Sequence, residues 1–144
     1  MSANFAYANT RDFEFIIQEW LPTDIVFNYE QFKDYYSKEE VKSILEPFRK
    51  MCKEVVEPTN EDGDKIGCTF ANGKVTTPPS FGPLFKQLQQ DGWGTANIDD
   101  SEDAMTMPNI IFAACQEMLA AANPAFMPYI GLTTGAAELI QAFA

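Results

Sequence analysis

The stretch from residue 104 to residue 144 contains only two charged side chains, Glu117 and Glu138, and neither lysine nor arginine. Alanine, phenylalanine, isoleucine, leucine and methionine dominate it. Helices of this composition need apolar partners on more than one side. The preceding part of the chain offers few such partners. We therefore expect the chain to be a piece of something larger, with this tail as its buried interface.

Length and charge set the broad class. At 144 residues and 46% hydrophobic, the chain is long enough for one domain with a real core but not for two. The net charge is −11, and all ten basic residues precede Ala104. An acidic chain without a basic stripe is a poor candidate for binding nucleic acid or an anionic membrane surface. We interpret the acidity as a source of solubility.

Cysteine usage and hydropathy indicate the compartment. Cys52, Cys68 and Cys115 are far apart and form no C-x-x-C pair, which fits free thiols in a reducing cytoplasm. The N-terminus has neither a basic region nor an apolar run, so we expect no signal peptide. Residues 118–137 carry no charge and have membrane-spanning length. Two prolines within them and the lack of flanking basic residues favour a helix buried in protein.

Catalytic and metal-binding motifs are missing from the sequence. The chain has no histidine, which excludes Ser-His-Asp catalysis and the usual zinc sites. It has no phosphate-binding glycine motif. The glycines at 92 and 94 are not followed by the third glycine that the G-x-G-x-x-G motif requires. Residues 99–110 lack the glycine and the final glutamate of a calcium loop. We predict no catalytic residue, no cofactor-binding residue and no metal ligand here.

The first half of the chain predicts helices. The apolar side chains between positions 11 and 21 recur at helical spacing, which predicts a first helix there. A short aromatic helix is predicted next, from Tyr29, Phe32, Tyr35 and Tyr36. A long helix should then begin with a capping box at Ser37 and Glu40. Pro47 should kink it, and Pro58 with the polar residues that follow should end it.

A change in pattern occurs at residues 66–77, where strand-like residues flank Asn72-Gly73, a strong signal for a tight turn. We expect a hairpin that folds as a flap over the helices. Ser80 should cap the next helix, and Gly92 should end it.

The apolar tail predicts the last two helices. After an acidic loop at residues 97–107, Pro108 should be the first residue of one helix. Asn123 should then cap the last helix, with Pro124 as its first residue. The expected fold is all-α: residues 1–144 form a single domain of about six helices in a bundle-like arrangement, with one small hairpin.

Several motifs, taken in order, resemble a known family. They are an Arg-Asp-x-x-Phe helix at residues 11–15, FANGKVTTPP at 70–79, LQQDGWG at 88–94, Met107-Pro108, and GLTTGAAELI at 131–140. This order resembles the N-terminal helical domain of acyl-CoA dehydrogenases. It is most similar to the long-subunit branch that includes the 3-methylmercaptopropionyl-CoA dehydrogenases.

The resemblance implies a parent flavoprotein oxidoreductase of fatty acid metabolism. In such an enzyme FAD and the acyl-CoA thioester bind between the helical domain, a β-barrel domain and a C-terminal helical domain. A carboxylate removes the α-proton while hydride passes from the β-carbon to the flavin. The catalytic glutamate and the main flavin contacts belong to the two later domains, which are absent from this chain. The segment alone is expected to be inactive and not to bind FAD.

The same resemblance implies that the last helices help to wall the acyl-chain tunnel. The candidate substrate-pocket residues are Met118, Ala121, Ala122, Phe126, Tyr129, Gly131 and Leu132. Of the two tail glycines, we assign Gly131 to the tunnel and Gly135 to helix packing. One departure from the family occurs at residues 98–105, where a loop that commonly holds two glycines has none.

Two further expectations concern partners. The alternative to a dehydrogenase domain is a self-contained helical interaction or acyl-binding module without redox activity, whose last helix is covered by its own chain or a partner subunit. In either case the apolar tail should drive association. We expect a homodimer or higher oligomer through residues 124–144.

Overall fold

The computed structural model describes residues 7–94, 96 and 106–143, and within them helices account for most of the regular structure. The α-helices are α1 Arg11–Glu14, α2 Asp24–Phe27, α3 Val41–Met51, α4 Asn60–Lys65, α5 Phe81–Gln90, α6 Asn109–Ala122 and α7 Met127–Phe143. A π-helical segment, Phe15–Trp20, extends α1. The segment Lys38–Glu40 precedes α3, and the segments Cys52–Val56 and Glu57–Thr59 join α3 to α4, so that all of these form one helical body. The described chain thus has six helical bodies, which confirms the all-α prediction.

The core lies where α3 and its π-helical extension pack against α6. One face of the long helix is buried, including Val41, Leu45 and Cys52. From α6, Ile111, Cys115, Met118 and Leu119 meet it, while α5 and the start of α7 close the remaining sides. The buried residues of α3 and α6 thus recur at helical spacing.

The predicted aromatic helix at residues 29–36 is wrong. A single helical turn, α2, precedes it, and consecutive turns run from Asn28 to Tyr35. Phe32 is buried, but Tyr29 and Tyr35 are exposed. An amphipathic helix is held mainly by the packing of its apolar face. One buried ring in this stretch is not enough to provide such a face.

The long helix does not end at Pro58, as expected, but continues through Asn60 to Lys65. Pro58 lies in the 3-10 segment, at a first-turn position where a missing N–H leaves few hydrogen bonds unmade. Pro47 lies inside α3, as predicted. The predicted capping box is wrong, because Ser37 Oγ donates to Glu40 Oε2 at 3.1 Å and caps no backbone N–H.

The hairpin is present, but it is not a flap over the helices. Strands β1 Thr69–Ala71 and β2 Lys74–Thr76 pair antiparallel, and Phe70 lies opposite Val75. Asn72 and Gly73 both have positive φ, as the predicted tight turn requires. Every residue of the two strands is exposed, including Phe70 at 75% and Val75 at 66%. The apolar side chains therefore face solvent in this domain.

The predicted helix ends agree with the structure only in part. Gly92 ends α5 with φ +81°, and Trp93 N–H donates to the Leu88 carbonyl at 2.9 Å, as in a glycine-terminated helix. Ser80 precedes α5 without capping it. Pro108 occupies the N-cap position of α6, so the helix begins at Asn109, one residue later than predicted. The loop predicted at residues 98–105 lies outside the described residues.

Candidate functional site

Asn123 fixes the corner between α6 and α7. Its Oδ1 accepts the Phe126 N–H at 2.9 Å, in a turn at residues 124–126 that leads into α7. The last helix therefore begins at Met127, and the prediction that Asn123 caps it with Pro124 as its first residue is wrong. Its Nδ2 donates to Thr59 Oγ1, also at 2.9 Å. Asn123 is fully buried, so these bonds satisfy polar atoms that water cannot reach. They tie the direction of α7 to the helical body that contains α3 and α4.

The first half of α7 is anchored in the core, and its second half is not. Ile130 and Thr134 are its buried residues. From Gly135 to Phe143 every residue is exposed except the half-buried Ala137. An apolar stripe runs along one exposed side of α7 at helical spacing. It comprises Leu132, Ala136, Leu139, Ile140 and Phe143. Leu132 is 74% exposed and Phe143 is 84% exposed.

The stripe is the candidate functional site, because contiguous apolar surface of this kind marks interaction sites or ligand grooves. The tail was expected to need apolar partners on several sides. In the structure α7 buries only one side, at Ile130 and Thr134. The alternative of a self-contained module required the last helix to be covered by its own chain or a partner. Within the described residues, its own chain leaves the stripe uncovered.

The structure tests the packing assignment of the two tail glycines. A Cβ at Gly135 would meet nothing within 4 Å, so the assignment of this glycine to packing within the domain is wrong. A Cβ at Gly131 would meet the end of the Met127 side chain, with Cε at 3.2 Å. That neighbour belongs to the same helix. Neither glycine therefore serves the close approach of another described helix.

The candidate substrate-pocket residues divide into two groups in the structure. Met118, Ala122 and Phe126 are fully buried in the core. The others are at least partly accessible: Ala121 and Leu132 are exposed, and Tyr129 and Gly131 are half-buried. The structure therefore does not gather all seven residues around one cavity.

An aromatic cluster supports the start of α7. Phe126 and Tyr129 stack with ring centroids 5.6 Å apart, and Phe81 of α5 meets both rings edge-on at 5.4 and 5.7 Å. Such pairs stabilise by about 0.5–1.5 kcal/mol each beyond their burial. Tyr129 also hydrogen-bonds to Cys68, immediately before β1, and burial with this contact raises the Tyr129 pKa. Sequence reasoning missed this link, because nothing local connects residue 68 with residue 129.

Two clefts lie away from the stripe. One of about 390 Å³ is lined by Val26, Tyr29, Gln31, Phe32, Thr106, Met107, Asn109 and Ile110. Another, of about 180 Å³, separates the first helical body from α6 and is lined by apolar side chains and Glu117. Neither lining contains a lysine or an arginine among the described residues. These clefts thus lack the cationic groups that hold phosphates.

Two buried thiols are unsuited to nucleophilic chemistry. Burial raises the pKa of Cys52 to about 12 and raises that of Cys115 above its ordinary value. The thiolate is the reactive form, so both side chains behave as small core residues near neutral pH. Cys68 is exposed. Among the described helices, none combines the length and the hydropathy needed to cross a membrane.

Comparison with known proteins identifies relatives. The chain is 31% and 30% identical, over 141 residues, to two butyryl-CoA dehydrogenases of Syntrophomonas wolfei subsp. wolfei. It is 25% identical over 137 residues to a 3-methylmercaptopropionyl-CoA dehydrogenase of Ruegeria pomeroyi. These alignments cover 96%, 96% and 93% of the chain. No protein-family profile matches it.

The shared region is small relative to these proteins. The chain spans 23% of the length of each relative, and the match falls in their N-terminal part. The resemblance drawn from the ordered motifs is thereby confirmed.

Proposed function

We propose, from the homology of this chain to the N-terminal part of acyl-CoA dehydrogenases, that it is the N-terminal helical domain of a parent enzyme of that kind. The similarity over 96% of the chain is the observation that carries the proposal. Residues 1–144 are then one domain, which lies beside a β-barrel domain and a C-terminal helical domain. The uncovered stripe on α7 supports this assignment, because a domain taken from a larger enzyme should expose such a face.

The proposed reaction is the α,β-dehydrogenation of an acyl-CoA thioester. FAD in the parent would accept the hydride from the β-carbon while a carboxylate removes the α-proton. The two clefts described above offer no lysine or arginine for the diphosphate of a flavin. We assign flavin binding and catalysis to the other domains, so the 144-residue chain alone should neither hold FAD nor oxidise acyl-CoA.

The contribution of this domain to substrate binding would come from the accessible members of the predicted pocket. Ala121, Tyr129, Gly131 and Leu132 can meet an acyl chain directly, since each is at least partly exposed. Met118, Ala122 and Phe126 would support the pocket from beneath, because they are buried. Small residues beside aromatic and aliphatic ones suit a narrow apolar slot.

The direct test is to express the complete parent reading frame and measure flavin absorbance and dehydrogenation. Butyryl-CoA with an artificial electron acceptor is the first probe, since the relatives named for that substrate match this chain. The expected result is bound flavin and formation of the α,β-unsaturated thioester. A parent that purifies without flavin and leaves acyl-CoA unchanged would refute the proposal.

A second test addresses the pocket. Gly131→Leu in the parent should lower activity on longer acyl chains before it affects short ones, because the added side chain shortens the slot. Gly135→Leu is the matched control, at the next turn of the same helix, and should leave the chain-length profile unchanged. Identical profiles for both variants and the unmodified parent would remove Gly131 from the pocket.

A further inference from the structure

The turn of the hairpin holds the one Asn-Gly pair of the sequence, at residues 72 and 73. Both residues are exposed, and both have positive φ, at 52° and 75°. A Cβ placed on Gly73 would meet nothing within 4 Å, so the space beside this residue is open. Among the turn and loop hydrogen bonds of the described chain, none uses the Gly73 N–H. The turn therefore leaves an amide side chain and the next backbone nitrogen both open to water.

This pair is chemically reactive because its two groups are close along the chain. A bond between the backbone nitrogen of Gly73 and the side-chain Cγ of Asn72 closes a cyclic imide, and proximity favours such intramolecular reactions strongly. A side chain on the following residue would hinder the approach, but glycine has none and its backbone is the most mobile. Every other asparagine in the sequence is followed by a residue with a side chain. Asn72 is thus the asparagine for which ring closure is easiest.

Ring closure also needs the turn to open for a short time. The backbone of Asn72 must rotate away from the left-handed conformation that the turn imposes. Every residue of β1 and β2 is exposed, and a two-stranded hairpin on its own is marginally stable in water. Local opening of such a region costs little free energy. Asn72 can therefore reach the reactive conformation while the helical core stays folded.

The Asp62-Gly63 pair shows how a more rigid setting protects a similar sequence. An Asp-Gly pair closes the same ring, with loss of water instead of ammonia. This pair lies within α4, and a Cβ on Gly63 would meet Phe81 Cζ at 3.0 Å. The helix and the packed ring of Phe81 together hold the backbone at this position. The pair in the hairpin has neither restraint.

We propose that Asn72 is a site of spontaneous deamidation, in which it forms a cyclic imide with Gly73 and is converted to aspartate and isoaspartate. The Gly73 N–H gives its proton to hydroxide, and the nitrogen attacks Cγ of Asn72. The new N–Cγ bond forms, the Cγ–Nδ2 bond breaks, and ammonia leaves with a proton from water. Water then hydrolyses the imide at one of its two carbonyl groups. The reaction needs only the turn and the solvent, so it does not depend on the proposed dehydrogenation.

The two products differ in their effect on the hairpin. Hydrolysis at the main-chain carbonyl of residue 72 leaves the chain running through the former side chain, so isoaspartate adds a methylene group to the backbone. Ala71 pairs with Lys74 directly beside the turn, and turn length fixes the register of a hairpin. Isoaspartate should therefore unpair the strands. Hydrolysis at Cγ gives ordinary aspartate, and an Asp-Gly pair still suits the same tight turn.

The test follows the modification in the purified 144-residue chain, kept at mildly alkaline pH in buffer and in urea. Peptide mass spectrometry measures deamidation, and chromatographic separation of the peptides detects isoaspartate, including that formed at Asp62 without a change of mass. In buffer, Asn72 should deamidate at least about tenfold faster than the exposed Asn28, which precedes a tyrosine. Folding should slow the reaction at Asn72 by less than about tenfold, and the reaction at Asp62 by more. Equal rates at Asn72 and Asn28, or equal protection of Asn72 and Asp62, would overturn the proposal.

The effect on the hairpin is tested with the same material. The modified chains are separated by their added negative charge, and amide hydrogen exchange is measured across residues 69–76. Exchange there should be faster in the fraction that contains isoaspartate than in the unmodified chain, and α3 should not change. Asn72→Gly, incubated in parallel, is the matched control, because a Gly-Gly pair suits the turn but has no amide to react. Freshly purified Asn72→Asp supplies the aspartate product alone. Unchanged exchange in the isoaspartate fraction, or equally fast exchange in fresh Asn72→Asp, would refute the proposed unpairing.

Discussion

Asn123 is the residue on which the position of α7 most depends. Its replacement by alanine removes the acceptor of the Phe126 N–H just before α7 and leaves the half-buried Thr59 hydroxyl without that donor. We expect Asn123→Ala to lower the free energy of unfolding by about 2 kcal/mol. Urea unfolding monitored by circular dichroism measures it. The exposed Asn28→Ala is the control, with an expected change within about 0.5 kcal/mol; similar losses for both would contradict this role.

Glu46 links stability to pH. It accepts hydrogen bonds from Thr10 at 3.0 Å and from Arg49 at 3.1 Å. Partial burial tends to raise the pKa of Glu46, but the hydrogen bonds from Arg49 and Thr10, with the nearby charges of Arg49 and Lys42, lower it overall. A carboxyl group with a lowered pKa in the folded state stabilises fully above its ordinary pKa. That contribution is lost as the pH falls through the lowered value.

The expected outcome is that the midpoint of thermal unfolding falls more gently with acidification in Glu46→Gln than in the unmodified chain, over about pH 3–5. Glu39→Gln, at an exposed position, is the control and should retain the original slope. Parallel curves for all three proteins would show that Glu46 does not carry this dependence.

Local chemistry explains which residue-level predictions succeeded. Asn72-Gly73 acts through its own backbone geometry, so neighbours in sequence suffice to predict this turn. Ser80 failed because its ψ of −22° is helical, whereas a capping side chain works from an extended backbone. Ser37 has the extended backbone, but its hydroxyl bonds to the Glu40 carboxylate instead. These competing conformations depend on surroundings that a motif does not contain.

At the scale of the element, the glycines of α7 give a testable asymmetry. A Cβ at Gly135 would enter open space, and the residue is exposed within a helix. Gly135→Ala should therefore raise the free energy of unfolding by about 0.5–1 kcal/mol, through better helix propensity. Gly131→Ala should gain less, because the Met127 side chain must move by a few tenths of an ångström. Urea titrations compare them, and a loss of stability in Gly135→Ala would reveal a contact at that position.

Elements differ in how far their sequence predicts them. The inner face of α3 recurs at helical spacing, because polar residues mark its outer side. The tail is apolar nearly all round, so its periodicity could not indicate that Ile130 and Thr134 face the core while Leu132 faces outward. The sequence of the hairpin predicts its turn but not where the hairpin lies relative to the helices. Its link to Tyr129 arises only from tertiary structure.

For the molecule as a whole, we predict that the 144-residue chain associates with itself through residues 124–144, because the stripe on α7 is apolar and uncovered. Sedimentation at micromolar concentration should show a dimer or larger species. Leu139→Ser with Phe143→Ser should shift it toward monomer, since both side chains lie on the stripe. Trp20→Ser, at a similarly exposed position, should leave it unchanged. A clean monomer before any substitution would contradict the prediction.

The division of α7 into an anchored half and a projecting half has a thermodynamic consequence. Beyond Thr134 no described side chain is buried, and a helical stretch this short is marginal in water without packing. Amide hydrogen exchange should therefore be much faster after residue 134 than between residues 127 and 134, with the boundary at the last buried side chain. Association through the stripe would then also order this half of the helix, at a cost of conformational entropy that weakens the affinity and makes it sensitive to helix propensity. A substitution on the solvent side, such as Gly135→Ala, would strengthen the association without touching the partner.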